Sequence, residues 1–207
     1  MRLRLTATYA LAAITVAAFL VITIGRLEEA ASLAMGFIPL RVTAEANWPA
    51  LPVWLTPLSA TLIHAGFLHL LTNMLLLLWC GREVERVLGP APLITLYLAG
   101  AFAAAAGQYA LAPTANYPMV GASGAVSALV GAFAMSFSRP KAIVRNFKLN
   151  RAINVLWMLA AWVILQWMTT YLMGLQGVMV ATGAHVGGFI AGVILHKPLL
   201  LWRYRRA

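Results

Sequence analysis

The chain contains no aspartate and a single cysteine among its 207 residues. Its only carboxylate side chains are Glu28, Glu29, Glu45, Glu83 and Glu85, so chemistry that needs an aspartate is excluded. One thiol, Cys80, cannot close an intrachain disulfide, and it lies in an apolar run where packing is its ordinary use. Charge is scarce too. Only 10% of the residues are charged and 62% are hydrophobic, whereas soluble domains carry about 25% charged residues. That excludes a soluble globule. Strand-like alternation of apolar and polar residues is missing, which disfavours an outer-membrane barrel.

What the chain does have is long apolar runs and a mean hydropathy of +0.85. These predict an all-α, polytopic membrane protein folded as one domain over residues 1–207. Six spans are expected, over about 5–25, 66–88, 92–112, 123–138, 153–173 and 178–195. The first run follows Arg2 and Arg4 and could be taken for a signal peptide. It exceeds the usual apolar region of such peptides, about 7–15 residues, so a retained span is expected. Residues 26–63 form a long connection with Pro39, Pro49, Pro52 and Pro57. Phe37, Trp48 and Trp54 make it more apolar than a solvated loop, so it is expected to lie partly in the membrane interface.

A net charge of +10 is compatible with a nucleic-acid partner. In a membrane protein the better account is lysine and arginine on the cytoplasmic side, against anionic lipid. With the N-terminus inside, the inner segments hold Arg2, Arg4, Arg82, Arg86, Arg139, Lys141, Arg145, Lys148, Arg151, Lys197, Arg203, Arg205 and Arg206. The outer ones hold Arg26 and Arg41. This asymmetry predicts both termini in the cytoplasm.

Spans two, four and six then run from outside to inside, and each carries polar groups near its outer end: His69 and Asn73, Ser123, and His185. Any one of them could simply bond a neighbouring helix. Together, at one depth, they read as a site. The fourth span is about 24 Å long against roughly 30 Å of hydrocarbon, so Ser123 lies several ångströms below the outer surface. His185 is roughly 10 Å deep. His69 and Asn73 share a helix face, while His64 belongs to the entry turn at Gly66.

Ser123 follows a polar, proline-bearing loop and opens the stretch Gly121-Ala122-Ser123-Gly124-Ala125-Val126, at or beside a helix N-cap. Serine there commonly caps. The same position suits a nucleophile, because free N–H groups and the helix dipole favour an oxyanion beside its hydroxyl. On the sixth span Ala184, Gly188 and Gly192 form a small-residue seam, and a fourth span bearing Gly124 and Gly131 is its natural partner. That packing would bring His185 to Ser123.

Three motifs now stand in order: His64-Ala65-Gly66-Phe67-Leu68-His69-Leu70-Leu71-Thr72-Asn73, Gly121-Ala122-Ser123-Gly124, and Ala184-His185-Val186-Gly187-Gly188. In spacing and span placement the chain resembles the rhomboid intramembrane serine proteases, from about Trp54 to Gly192. The resemblance implies Ser123 as nucleophile and His185 as general base. It implies an oxyanion hole from His69, Asn73 and the Ser123 backbone N–H, with Gly121 as a further candidate. His64, Gly124, Gly188 and Gly192 would be structural. It also implies transmembrane protein substrates, no nucleic acid, no cofactor and no metal, in a bacterial inner membrane with the site open to the outer side. The His-Glu-x-x-His pattern of zinc peptidases is absent.

Two departures from the family's pattern stand out. The position four after the nucleophile, often an aromatic that stacks on the histidine, is Ser127, and Trp54 is followed by Leu55 where the family has a Trp-Arg pair. A Ser-His-Asp triad cannot be built, and Glu83 lies about 15 Å from Asn73 along the same helix. His185 must be oriented by packing or by another hydrogen bond. The rival readings are a rhomboid-like protein that binds membrane clients without cutting them, and a small transporter. The first predicts a decayed dyad, and the second predicts repeated halves with a buried carboxylate.

Overall fold

Hydrocarbon offers no hydrogen-bond partners, so a backbone that crosses it must satisfy its own amides. The long apolar runs accordingly form helices. A computed structural model describes residues 6–44, 48–137, 141–174 and 180–205. The helices are α1 (Ala7–Ile24), α2 (Glu28–Met35), α3 (Thr56–Ser59), α4 (Phe67–Leu76), α5 (Arg82–Leu88), α6 (Pro90–Leu111), α7 (Ser123–Phe137), α8 (Phe147–Gly174) and α9 (Thr182–Tyr204). The described residues contain no strand beyond an isolated bridge between Phe37 and Met119. The chain is an all-α, polytopic membrane protein.

Among the described residues, four helices are long and apolar enough to cross a membrane: α1, α6, α8 over Phe147–Met168, and α9. A π-helical turn, Leu77–Gly81, joins α4 to α5, and this helix with Thr56–Leu62 makes a pair bent by 104° that qualifies as a fifth. The 15-residue α7 is shorter. It is buried along most of its length between α6 and α9, which is why it needs no lipid-facing apolar shell.

Two boundaries differ from those expected. Helix α8 begins at Phe147, not near 153, because Asn146 accepts the Leu149 N–H (3.1 Å) and caps it. Helix α9 continues past 195 to Tyr204, carrying Pro198 within it. The expected start of the sixth span at 178 and the loop before it lie outside the described residues. So do Ser138, Arg139, Glu45 and the terminal Arg2, Arg4 and Arg206.

The closest contacts among α6, α7 and α9 are made by small residues. Helix α6 buries Gly100, Ala101, Ala104 and Ala105 while exposing Ile94, Leu98 and Phe102. Lipid tails solvate leucine as well as a protein core does, so close packing between helices comes from small residues that let backbones approach. Helix α9 uses two glycine faces. A Cβ at Gly188 would strike the Gly124 carbonyl oxygen of α7, and one at Gly192 that of Ala128. On its other face Gly183 and Gly187 meet Gly107 and Ala103 of α6.

The first helix is fixed by a distant carboxylate. Glu85 accepts the N–H groups of Ala7 and Thr8 (2.9 Å each) and the Thr8 hydroxyl (2.6 Å), capping α1 where Thr6 makes no side-chain cap. The π turn contributes here, since one extra residue rotates everything beyond it by about 100° around the helix.

The first connection is tied down without a Trp-Arg pair. Trp54 is 65% exposed. Instead Arg41 donates from Nη2 to the Leu51 carbonyl (2.7 Å), Trp48 from Nε1 to that of Leu33 (3.2 Å), and Ser59 from Oγ to that of Met35 (2.6 Å). This folded segment holds the loop before α7. Phe37 and Met119 exchange backbone bonds of 3.0 and 2.8 Å, and Leu40 donates to Ala115 (3.0 Å).

Candidate active site

Ser123 is the first residue of α7, and Ala122 before it takes the cap position, its carbonyl accepting the Val126 N–H (2.9 Å). The Ser123 hydroxyl is therefore free of capping duty. Two loop contacts set its position. Gly121 donates its N–H to Ala60 (2.9 Å), and Ala122 donates its own to Nε2 of buried His64 (3.4 Å). His64 thus joins the entry turn of α4 to the start of α7.

The N–H of Gly121 is committed to Ala60, which corrects its candidacy as an oxyanion donor. Its part is conformational. Its φ is +115°, and a Cβ there would lie 2.7 Å from His69 Nε2 and 3.7 Å from Ser123 Oγ. Only glycine leaves the gap between those two groups open.

His185, in the first turns of α9, reaches across the seam. Its Nε2 lies 2.8 Å from Ser123 Oγ, over 62 positions of sequence. Both residues are half-buried, so the pair is walled by protein yet reachable. The seam makes this contact possible, because backbones this close leave a hydroxyl and an imidazole to span what remains.

His69 and Asn73 stand one turn apart on α4. His69 Nδ1 accepts the Ala65 N–H (3.4 Å), so in the neutral ring the proton sits on Nε2, the nitrogen nearest Gly121. Its ring centroid is 5.0 Å from that of His64. Asn73 is buried and donates from Nδ2 to the His69 carbonyl (2.8 Å), leaving the second hydrogen of that nitrogen uncommitted by this bond. Beyond Ser123 a cavity of about 10 Å³, with Thr61 and Ala104 in its wall, is large enough for one water.

Two side chains of α8 complete the setting, and neither was anticipated. Gln166 places Oε1 2.5 Å from His185 Nδ1. Trp162 donates from Nε1 to the His185 carbonyl (3.2 Å) and stacks on Phe189, centroids 5.2 Å apart. Their spacing of four puts them on one helix face, a signal present in the sequence. Ser127 is too small to stack on an imidazole and bonds back to the Ser123 carbonyl (2.7 Å).

A second Ser–His contact offers a contrast. Ser136 Oγ, at the far end of α7, and His196 Nε2, 11 residues beyond His185 on α9, are 2.9 Å apart. Ser136 sits in the last turn of α7, where free carbonyls face out, and its hydroxyl also bonds Ala132 (3.0 Å). An oxyanion there would meet the wrong end of the dipole. This pair ties helices. Among the described residues, no group of three or more His, Cys, Asp and Glu side chains is placed to hold a metal ion.

Comparison with known proteins places this arrangement among relatives. The model of the Rhomboid domain matches residues 52–202. The rhomboid protease GluP of Bacillus subtilis is 27% identical over 190 residues, covering 90% of this chain and 33% of that protein. The rhomboid protease GlpG of Yersinia pestis is 31% identical over 140 residues, covering 66% of this chain and 45% of that one. The chain therefore spans less than half the length of either relative.

Proposed function

The chain belongs to the rhomboid family, and on that premise we propose that it is a serine-type intramembrane endopeptidase that cuts transmembrane segments of other membrane proteins near their outer ends. The observation that carries the reading is the 2.8 Å contact between Ser123 Oγ and His185 Nε2 at the N-terminus of α7. A serine hydroxyl needs a base to become a nucleophile at neutral pH, and an imidazole at this distance is one.

Ser123 Oγ attacks the scissile carbonyl as His185 Nε2 takes its proton. The oxyanion forms against the Ser123 N–H at the positive end of α7, with His69 Nε2–H and the Asn73 amide on the facing helix. His185 returns the proton to the leaving amine, and an acyl-enzyme remains on Ser123. Water, entering from the outer side, then repeats the attack with His185 again as base. We read six spans, with α7 crossing as the fourth, both termini cytoplasmic and the site open to the outer face of a bacterial inner membrane. Substrate and lipid bilayer are the partners of this chemistry.

Losing one oxyanion donor costs about 100–1,000-fold in rate. Asn73→Ala is accordingly expected to lower kcat by about that factor with KM little changed. Steady-state kinetics on a single-span substrate in liposomes measures both.

The reading itself is tested with the full chain in liposomes, a single-span substrate and a serine-reactive phosphonate. Cleavage within the membrane segment, with the adduct found on Ser123 by mass spectrometry, is expected. Substrate that binds without being cut, and no adduct, would replace the peptidase reading with client binding.

A further inference from the structure

Gln166 is out of place by the ordinary rules for a membrane helix. It is the one amide in the apolar stretch 155–168, which carries no charge, and its neighbours Ile164, Leu165, Trp167 and Met168 are exposed as lipid-facing residues are. Gln166 is 7% exposed, the only buried position among the described residues of α8. A polar group carried into hydrocarbon without partners is unfavourable, and it is retained where it has work to do. Its Oε1 meets the ring nitrogen of His185 that Ser123 does not use.

We infer that Gln166 is the positioning residue of the dyad: its side-chain carbonyl accepts the Nδ1–H of His185 and so keeps Nε2 bare to take the Ser123 proton. The inference rests on the peptidase reading for its consequence, though not for the bond itself. A carbonyl oxygen accepts and does not donate, so the nitrogen facing it must carry the hydrogen. The neutral ring has one hydrogen, and Nε2 is then an acceptor. In the other tautomer Nε2 would carry the hydrogen, and Ser123 would face a donor instead of a base. This is the orienting task an aspartate performs in a triad, done here by a neutral dipole in a chain that has no aspartate.

The bond also joins two helices. Trp162, one turn before Gln166, holds the His185 carbonyl and stacks on Phe189, so both side chains dock α8 on the same stretch of α9. The tautomer of His185 therefore depends on α8 staying packed there.

The test uses full-length protein with ¹⁵N-labelled histidine, whose two neutral tautomers differ in imidazole nitrogen shift. Wild type is expected to hold His185 as Nδ1–H, and Gln166→Leu to give a mixture. In Gln166→Leu, kcat and the phosphonate reaction should both fall about 100-fold, with KM within about twofold. Gln166→Glu keeps an acceptor and adds a charge. It should recover most of the rate and move the acid limb of the pH–rate profile to higher pH, because a carboxylate favours the imidazolium. Among the described residues, His69 is the titratable group that acts on His185 by its charge, and it is unchanged in both variants. A merely structural glutamine would alter thermal stability and leave tautomer and pH profile alone. Nε2–H in the wild type, or wild-type kcat in Gln166→Leu, overturns the inference. A wild type that holds Nδ1–H but neither cleaves nor reacts with phosphonate keeps the bond and removes the peptidase reading.

Discussion

Ser123→Ala is expected to abolish cleavage of a single-span substrate, a loss of about 10⁴–10⁶-fold in kcat. The reason is that no other hydroxyl can replace it. Ser127 lies one turn further into α7, buried and bonded to the Ser123 carbonyl. Ser136 has an imidazole at 2.9 Å but lies at the opposite end of the helix. His185→Ala should fall to a similar level, since a serine without a base is a poor nucleophile. The double variant should be no worse than either single one, because two residues that act as a unit give non-additive losses. Ser136→Ala, which also removes a Ser–His contact, should keep the wild-type rate. Initial rates in liposomes, with titration of active protein by phosphonate, measure all four. Equal cleavage by wild type and Ser123→Ala would take Ser123 out of the chemistry.

Much of this arrangement is legible before any coordinate is known, and the reason differs from part to part. Long apolar runs in hydrocarbon form helices, so their approximate place follows from composition. The contact between Ser123 and His185 is legible because depth along a helix is simple arithmetic, and the two residues fall at compatible depths. The seam is legible because glycine at every fourth position has few uses other than close approach. Rotation of one helix about its own axis is harder. Gln166 can be noticed as a polar residue in hydrocarbon, yet its partner is unknowable until α8 is docked. The π turn at Leu77–Gly81 lies in a plain apolar run with no breaking residue before Gly81, and it answers to contacts with α1 that are distant in sequence. The ties of the first connection fail to read for a similar reason. Arg41, Trp48 and Ser59 bond to backbone carbonyls, and any carbonyl looks like any other in a sequence. Gly121 reads as a donor by its place beside Ser123, while its bond to Ala60 depends on where the first connection folds.

Gly188 is where packing and chemistry should fail together. A Cβ at this position would strike the Gly124 carbonyl oxygen, with the Gly124 carbonyl carbon at 3.0 Å and Ser127 Cβ at 3.2 Å behind it. The obstacle is backbone on the opposing helix, so no side-chain rotation relieves it. Gly188→Ala must push α9 away from α7 within one turn of His185. A misplacement of about 1 Å at the reacting groups costs roughly 100-fold in rate, and overpacking costs about 1–3 kcal/mol in stability. The alanine variant should therefore fold, unfold at a lower temperature, and lose about 100-fold in both kcat and phosphonate reaction. Gly188→Val adds two further carbons at the same wall and should fail to accumulate as folded protein. Gly66→Ala is the control. Its φ of 163° is extended backbone open to any residue, and nothing lies within 4 Å of a Cβ there, so rate and stability should match wild type. Kinetics together with thermal unfolding in detergent separate the two effects. A Gly188→Ala protein as fast as wild type would mean that the dyad distance is set elsewhere than by the glycine contact between α7 and α9.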